Sequence, residues 1–369
     1  MLTVFSSPGH YVQGRDATAA LGPELARLGL AGPALVVAAP SAERLLTEVW
    51  RATFGSAGID HAVHRFGGEC SRAETARIAA AATAAGARTI VGAGGGKALD
   101  AARAAADDLD LPLVSCPTTA SNDAPCSALS VLYSDGGEFE SYQLVRRNPA
   151  LVLVDSSVIV QAPARLFAAG MGDALATWFE ARTCVAGGVR NMRGGRSTAA
   201  AAALAELCHR TLLADGAAAL AAVRAGVVTP AVERLIEANT LLSGLGFESS
   251  GLAAAHAVHN GLTVVPQTHP YLHGEKVAFG VLTQLVLEGA PAAEIEQVLG
   301  FCRRVGLPVT LGGLGLAGAD RELVERIAAR ATAEGETIHH EPFAVDVRSV
   351  ADALLAADAL GRAHGPSSD

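Results

Sequence analysis

Apolar residues follow two different rhythms along this chain. Up to residue 162, short unbroken apolar runs alternate with longer amphipathic segments. ALVVAA (34–39) reads as a buried strand, with a helix over 41–57 after it. HAVHRF (61–66) reads as a second strand, followed by a helix over 72–87. RTIVGAG (88–94) is a strand that ends in glycines, and 97–107 is helical. LPLVSCP (111–117) and LVLVDSS (151–157) are further strands, and between them 128–145 carries a Gly-Gly turn between β-type runs, a hairpin. Strands that alternate with helices in this way build a parallel, doubly wound sheet.

From Pro163 onward the alternation stops, and successive helices are punctuated by Gly and Pro. The pattern predicts an α/β N-terminal dinucleotide-binding domain with a parallel, Rossmann-like sheet over 1–162. An all-α C-terminal domain over 163–369 follows it. A cleft between two such domains is the natural place for a site. The last six residues, HGPSSD, read as a tail, and no internal repeat is present.

Composition narrows the function. The net charge is −9 with no basic block, which argues against a nucleic-acid partner. No apolar run reaches the ~18 residues of a membrane span, and the N-terminus lacks the pattern of a signal peptide. Six cysteines without a CxxC pair suit reduced thiols and a cytoplasmic location. Only two lysines, Lys97 and Lys276, occur beside 26 arginines, and both lie in segments that carry candidate chemistry.

The first such segment is Gly92, Gly94, Gly95, Gly96 and Lys97, after a strand and at the start of a helix. Glycines there let backbone amides approach a phosphate, and the helix terminus adds favourable partial charge. The spacing is neither GxGxxG nor a Walker loop, so a tight turn is the competing reading. Asp100, one turn on, either accepts from a nearby loop or supports the helix start. A second loop, Pro117 to Pro125, is dense in hydroxyl and amide groups where ligands meet parallel sheets, although such residues also build turns. The third segment holds His256, His259, His269 and His273 within 18 residues. His256 and His259 are one helical turn apart, and so are His269 and His273 if that stretch is helical. Helical histidines facing a cleft make metal ligands, whereas buried ones are commonly capped by backbone. Asp173, in a Gly170-Met171-Gly172-Asp173 run read as a helix start, is either a carboxylate partner or a cap.

Taken together, SPGHYVQG (7–14), FGGECS (66–71), GAGGGKALD (92–100), TASNDAPCSALSVLYSDGGEF (119–139), GMGDALATWFEAR (170–182), GFESSGLAAAHAVHNGLT (246–263) and HGEKVAFGVLTQLVLE (273–288) resemble the glycerol dehydrogenases of the iron-containing alcohol dehydrogenase superfamily. The resemblance covers all but the last ~30 residues. It implies the dehydroquinate synthase-like fold of that superfamily and reversible oxidation of glycerol to dihydroxyacetone. It also implies zinc, or iron as in some relatives, on Asp173, His256 and His273. By the same resemblance the dinucleotide's pyrophosphate would sit on Gly94, Gly95, Gly96 and Lys97, with Asp100 behind them. Thr118, Ser121, Ser127, Leu129 and Tyr133 would line the rest of that site. Asp123 would bind the polyol, and His259 and His269 would either stand behind the ligands or be structural. The implied assembly is a homo-oligomer, an octamer in the family, with no membrane or nucleic-acid partner.

The implied cofactor is NAD, with one departure. The family's acidic residue after the first strand is Ala39 here, which leaves NADP open. A dehydrogenase of another small alcohol or diol is the nearest alternative. A sugar phosphate cyclase on the same fold needs several basic groups for a phosphate, and 231–300 offers only Arg234 and Lys276 besides histidines.

Overall fold

The computed structural model describes residues 2–136 and 139–364. Of the expected tail, all but His364 lies outside the described residues, as does part of the hairpin turn. Strands β1 (Tyr11–Gly14), β2 (Ala34–Ala38), β3 (His61–Arg65), β4 (Thr89–Gly94) and β5 (Leu113–Pro117) precede the antiparallel hairpin β6 (Leu129–Tyr133) and β7 (Phe139–Leu144), and β8 (Leu151–Asp155) follows. Helices α1 (Leu21–Arg27), α2 (Pro40–Ser56), α3 (Arg72–Ala84) and α4 (Gly96–Asp108) connect them, and α5 (Ser156–Ile159) closes the series. The main sheet is six-stranded in the order β1-β8-β5-β4-β2-β3, parallel at every pairing.

Both faces of this sheet are covered, which is why its strands read as unbroken apolar runs. Val36 packs with Leu21, Trp50 and Phe54 on one face, while Val37 packs with Ile78 and Ala101 on the other. Each fully buried Leu or Phe there contributes about 1.5–3 kcal/mol. Strand β1 was not legible in the sequence. Four residues at a sheet edge show no period, and the strand exists through its register on β8, Tyr11 opposite Val152.

Helices α6 (Ala164–Gly187), α7 (Ala199–Arg224), α8 (Pro230–Glu237), α9 (Ser243–Ser250), α10 (Ala254–Thr263), α11 (His273–Leu287), α12 (Ala292–Val305), α13 (Arg321–Ala331) and α14 (Val347–Ala363) make up the rest, with short turns between them. The chain forms two compact units. One is Ser6–Ala164 with Ala222–Gly244. The other holds the N-terminal residues to Phe5, Arg165–Ala221 and everything from Leu245 on. All six cysteines are buried and none is in a disulfide. No helix of the described residues is long and apolar enough to cross a membrane.

Two features of the helical unit correct the sequence reading. Asp173 does not start a helix: α6 begins at Ala164, and Asp173 lies in its third turn. The flanking glycines are there for contact, since a Cβ on Gly172 would come within 2.2 Å of the Gly274 carbonyl oxygen. The second correction concerns the stretch before His273. It is not helical: the 3-10 turn over Pro266–Thr268 ends at His269, Leu272 is extended, and α11 starts at His273 itself.

Candidate active site

In the helical unit, glycine contacts bring three side chains together. A Cβ on Gly274 would lie 1.8 Å from the Ala169 carbonyl oxygen, so α11 meets α6 backbone to backbone, with His273 beside Asp173. Gly280 makes the same close approach to Ala255, next to His256. Arg165 fixes the α6–α11 crossing further, its guanidinium gripping Glu275 at 2.6 and 2.7 Å. As a result His273 Nε2 is 3.0 Å and His256 Nε2 3.4 Å from the same atom, Asp173 Oδ1. One ligand atom from each of the three lies within 4.8 Å of the others, an arrangement that could hold a metal ion.

The outer ring nitrogens are engaged as well. His256 Nδ1 is 2.6 Å from Glu180 Oε2, and Glu180 Oε1 accepts from the backbone amides of Ala253 and His256. His273 Nδ1 is 3.0 Å from His259 Nε2. Burial alone would raise the Asp173 carboxyl, but His273 and His256 hold it well below the usual carboxylate range. Burial works against charge on His256, yet Glu180 and Asp173 keep it well above an ordinary imidazole. His259 goes the other way: burial, then the neighbouring His273 and Lys276, keep it neutral.

In the sheet unit, β2 connects outward to β3 while β4 leads to β5 on its other side. The two chains therefore diverge at the carboxyl ends of β2 and β4, where open α/β sheets bind ligands. Ala39 and Gly94 sit at this point. A Cβ on Gly94 would come within 2.8 Å of Ala98 Cβ and 2.9 Å of Ala39 Cβ, so only glycine fits. No side chain caps α4, whose N-cap is Gly95. Lys97 Nζ is 2.6 Å from Glu69 Oε1 and 5.1 Å from the centre of the Tyr133 ring. The loop after β5 folds back over the glycines, with Thr118 N donating to Gly94 O and Asn122 crowding Gly96. Asp100 is buried beside Arg103, and its Oδ2 accepts from Val131 N at 3.1 Å. Arg103 in turn donates to the carbonyls of Leu129 and Ala124. This pair therefore ties α4 to the segment that carries Ser127, Leu129 and Tyr133. Asp123 precedes a 3-10 turn, and its Oδ2 accepts from Ser243 Oγ at 3.2 Å.

A family model described as iron-containing alcohol dehydrogenase matches residues 8–156. A glycerol dehydrogenase from Pseudomonas putida is 51% identical over 356 residues, covering 96% of this chain and 97% of the relative. The chain belongs to the iron-containing alcohol dehydrogenase family. A glycolaldehyde reductase from Halobacterium salinarum is 49% identical, covering 98% of this chain and 99% of its own. The crystal structure of glycerol dehydrogenase from Schizosaccharomyces pombe superimposes with a TM-score of 0.94 at 36% identity, over 98% of this chain and 91% of that one.

This iron-containing alcohol dehydrogenase thus brings Asp173, His256 and His273 together, with His259 against His273. His269 stands apart: it is exposed, and its Nε2 is 3.0 Å from Thr263 O. Gly94 to Lys97 and Thr118 to Asp123 form one neighbourhood in the sheet unit, with Tyr133 against Lys97. Sequence reasoning missed Glu180, although a signal existed: it lies seven residues, two helical turns, after Asp173 on the same face. It also missed Glu69 and Asn260, whose roles arise from contacts distant in sequence or from an amide orientation.

Proposed function

We propose that this chain oxidises small vicinal polyols, glycerol foremost, with a nicotinamide dinucleotide as hydride acceptor and zinc, or iron, on Asp173, His256 and His273. The observation that carries this reading is the convergence of two Nε2 atoms on one buried carboxylate oxygen. Acceptors gathered in a buried place need positive charge between them, and imidazole with carboxylate suits both cations. The dinucleotide fits the other unit: α4 leaves its N-terminal amides uncapped behind a glycine run in which Gly92 and Gly94 have no room for a side chain.

Bound there, the cation would supply Lewis acidity at the substrate hydroxyl, and the nicotinamide a place for the hydride. The chain's own residues do the rest. Asp173, His256 and His273 are three protein ligands, which leaves room for substrate oxygens. Glu180 and His259 hold the two rings with Nε2 inward. Asp123 accepts from a polyol hydroxyl and orients it. Gly94, Gly95, Gly96 and Lys97 take the pyrophosphate, while Thr118, Ser121, Ser127, Leu129 and Tyr133 line the remainder. Asp100 serves that site as a positioning residue, through Arg103 and Val131. Ala39 offers no carboxylate to an adenosine ribose, so NAD is preferred only weakly over NADP.

The test is accumulation of reduced dinucleotide by the zinc-loaded protein with glycerol, ethylene glycol and ethanol, and its consumption with glycolaldehyde. Glycerol is expected to lead the forward panel, and a chelator to abolish turnover. No reduction with glycerol, or full activity without metal, defeats the reading.

A further inference from the structure

His273 reaches the surface of its unit through a chain of three hydrogen bonds. Asn260 Nδ2 donates to Glu336 Oε2 at 2.9 Å, and Glu336 is itself paired with Arg330. A carboxylate only accepts, so the amide nitrogen of Asn260 must face Glu336. That leaves Asn260 Oδ1 as the atom 3.1 Å from His259 Nδ1. An amide oxygen also only accepts, so the proton of His259 is on Nδ1 and its lone pair on Nε2. His259 Nε2 faces His273 Nδ1 at 3.0 Å, so His273 Nδ1 carries a proton and donates it. The remaining lone pair of a neutral His273 is then on Nε2, the atom 3.0 Å from Asp173 Oδ1. Each link has one allowed direction, and Glu336 sets the direction of all of them. With the amide of Asn260 turned round, every arrow reverses, and a neutral His273 would point N–H into the site instead of a lone pair.

We propose that Glu336 and Asn260 are positioning residues that, through His259, fix which nitrogen of His273 is free to bind a cation and so set the metal affinity of the site. The proposal rests on the reading of Asp173, His256 and His273 as the cation site. It assigns a role to the segment after α13, which carries Glu336 and which the sequence pattern did not mark.

The full-length protein is stripped with a chelator, and Zn²⁺ affinity is measured by competition with a metal-binding dye. Asn260→Leu removes the acceptor for His259, and Glu336→Ala removes the group that orients the amide. Each is expected to weaken Zn²⁺ about 10–100-fold, the usual effect of losing a partner behind a ligand. Asn260→Asp combined with Glu336→Gln keeps an oxygen facing His259 Nδ1 and places a donor opposite it, and is expected to retain much more of the affinity than Asn260→Leu. In the zinc-loaded unaltered protein the His273 Nδ1 proton is expected as a slowly exchanging resonance, lost in Asn260→Leu. Should Asn260→Leu fail to fold, Glu336→Ala decides by the same measurements. Unchanged Zn²⁺ affinity in folded Asn260→Leu or Glu336→Ala, or equal loss in the double variant and Asn260→Leu, overturns the proposal alone. An unaltered chain that binds no Zn²⁺ overturns the site reading with it.

Discussion

At the scale of single residues, Glu341 shows how a buried group couples stability to pH. Its carboxylate is buried, with no well-formed hydrogen bond and only the Ala254 backbone amide weakly opposing the rise in its pKa. Burial, then the Glu288 and Glu180 carboxylates, push its pKa from 4.5 up to about 8. The folded chain therefore keeps a proton that the unfolded chain has released, and the associated stability is full below 4.5 and lost as pH climbs through about 8. Glu341→Gln keeps the shape and cannot ionise, so denaturant titrations should show the variant gaining on the unaltered protein from pH 6 to pH 9. Each tenfold of proton affinity is worth about 1.4 kcal/mol at most. Parallel stability curves across that range would contradict the assignment. If Asp123 binds the polyol as proposed, Asp123→Asn weakens a charge-assisted hydrogen bond by about 1–2 kcal/mol and should raise KM for glycerol roughly tenfold. An unchanged glycerol KM with a weakened dinucleotide would place Asp123 elsewhere. Ala39→Asp restores an acceptor for the ribose hydroxyl and repels a 2′-phosphate, so the ratio of NAD to NADP KM values should swing toward NAD. An unaltered enzyme that already excludes NADP a thousandfold would show another residue in charge of selection.

At the scale of elements, what could be read from the sequence divides along local and non-local lines. Strands β2, β4, β5 and β8 and the helix after the glycines were legible, because continuous apolar runs and a 3.6-residue period are local signals. The short edge strand β1 was not, since it exists only through its partner. Four histidines within one stretch pointed to a metal, but spacing could not divide them, and it suggested a helical pair, His269 and His273, whereas His269 closes a 3-10 turn and His273 opens α11 beyond an extended Leu272. The α6 glycines looked like a helix start, whereas they mark where α6 and α11 touch. That contact makes a prediction. In Gly274→Ala the new Cβ would lie 1.8 Å from the Ala169 carbonyl oxygen, with no side chain able to yield. The helices must separate, at a cost of about 1–3 kcal/mol or more, and His273 moves away from Asp173. Gly300→Ala on α12 is the control, because its nearest neighbour is the flexible end of Arg304 at 3.3 Å. Thermal denaturation and Zn²⁺ affinity should both fall in the first variant and hold or improve in the second. Equal behaviour of the two would mean that the close contact is not what sets the ligand geometry.

At the scale of the whole molecule, the proposed cation ligands and the proposed dinucleotide-binding residues belong to different units. Asp173, Glu180, His256, His259, Asn260, His273 and Glu336 all belong to the helical unit. Ala39, the glycine run and the segment from Thr118 to Tyr133 all belong to the sheet unit. The sheet unit also claims Ala222–Gly244, through bonds such as Gln13 Nε2 to Glu233 Oε2 at 2.6 Å and Tyr11 to Thr240 at 2.9 Å. With no ligand atom drawn from the other unit, loss of one binding event should leave the other intact. His256→Ala is expected to lose Zn²⁺ and turnover while binding reduced dinucleotide as the unaltered protein does, because the core of the sheet unit is untouched. Gly94→Ala, whose Cβ would collide with Ala98 and Ala39, is expected to lose the dinucleotide and keep Zn²⁺. Ligand-induced thermal shifts read both in one experiment, since whatever binds only the folded chain raises its melting temperature by mass action. Zinc should stabilise Gly94→Ala and not His256→Ala, and the dinucleotide the reverse. If either substitution abolished both shifts in a folded protein, the two ligands would have to share residues, and the assignment of one to each unit would fall.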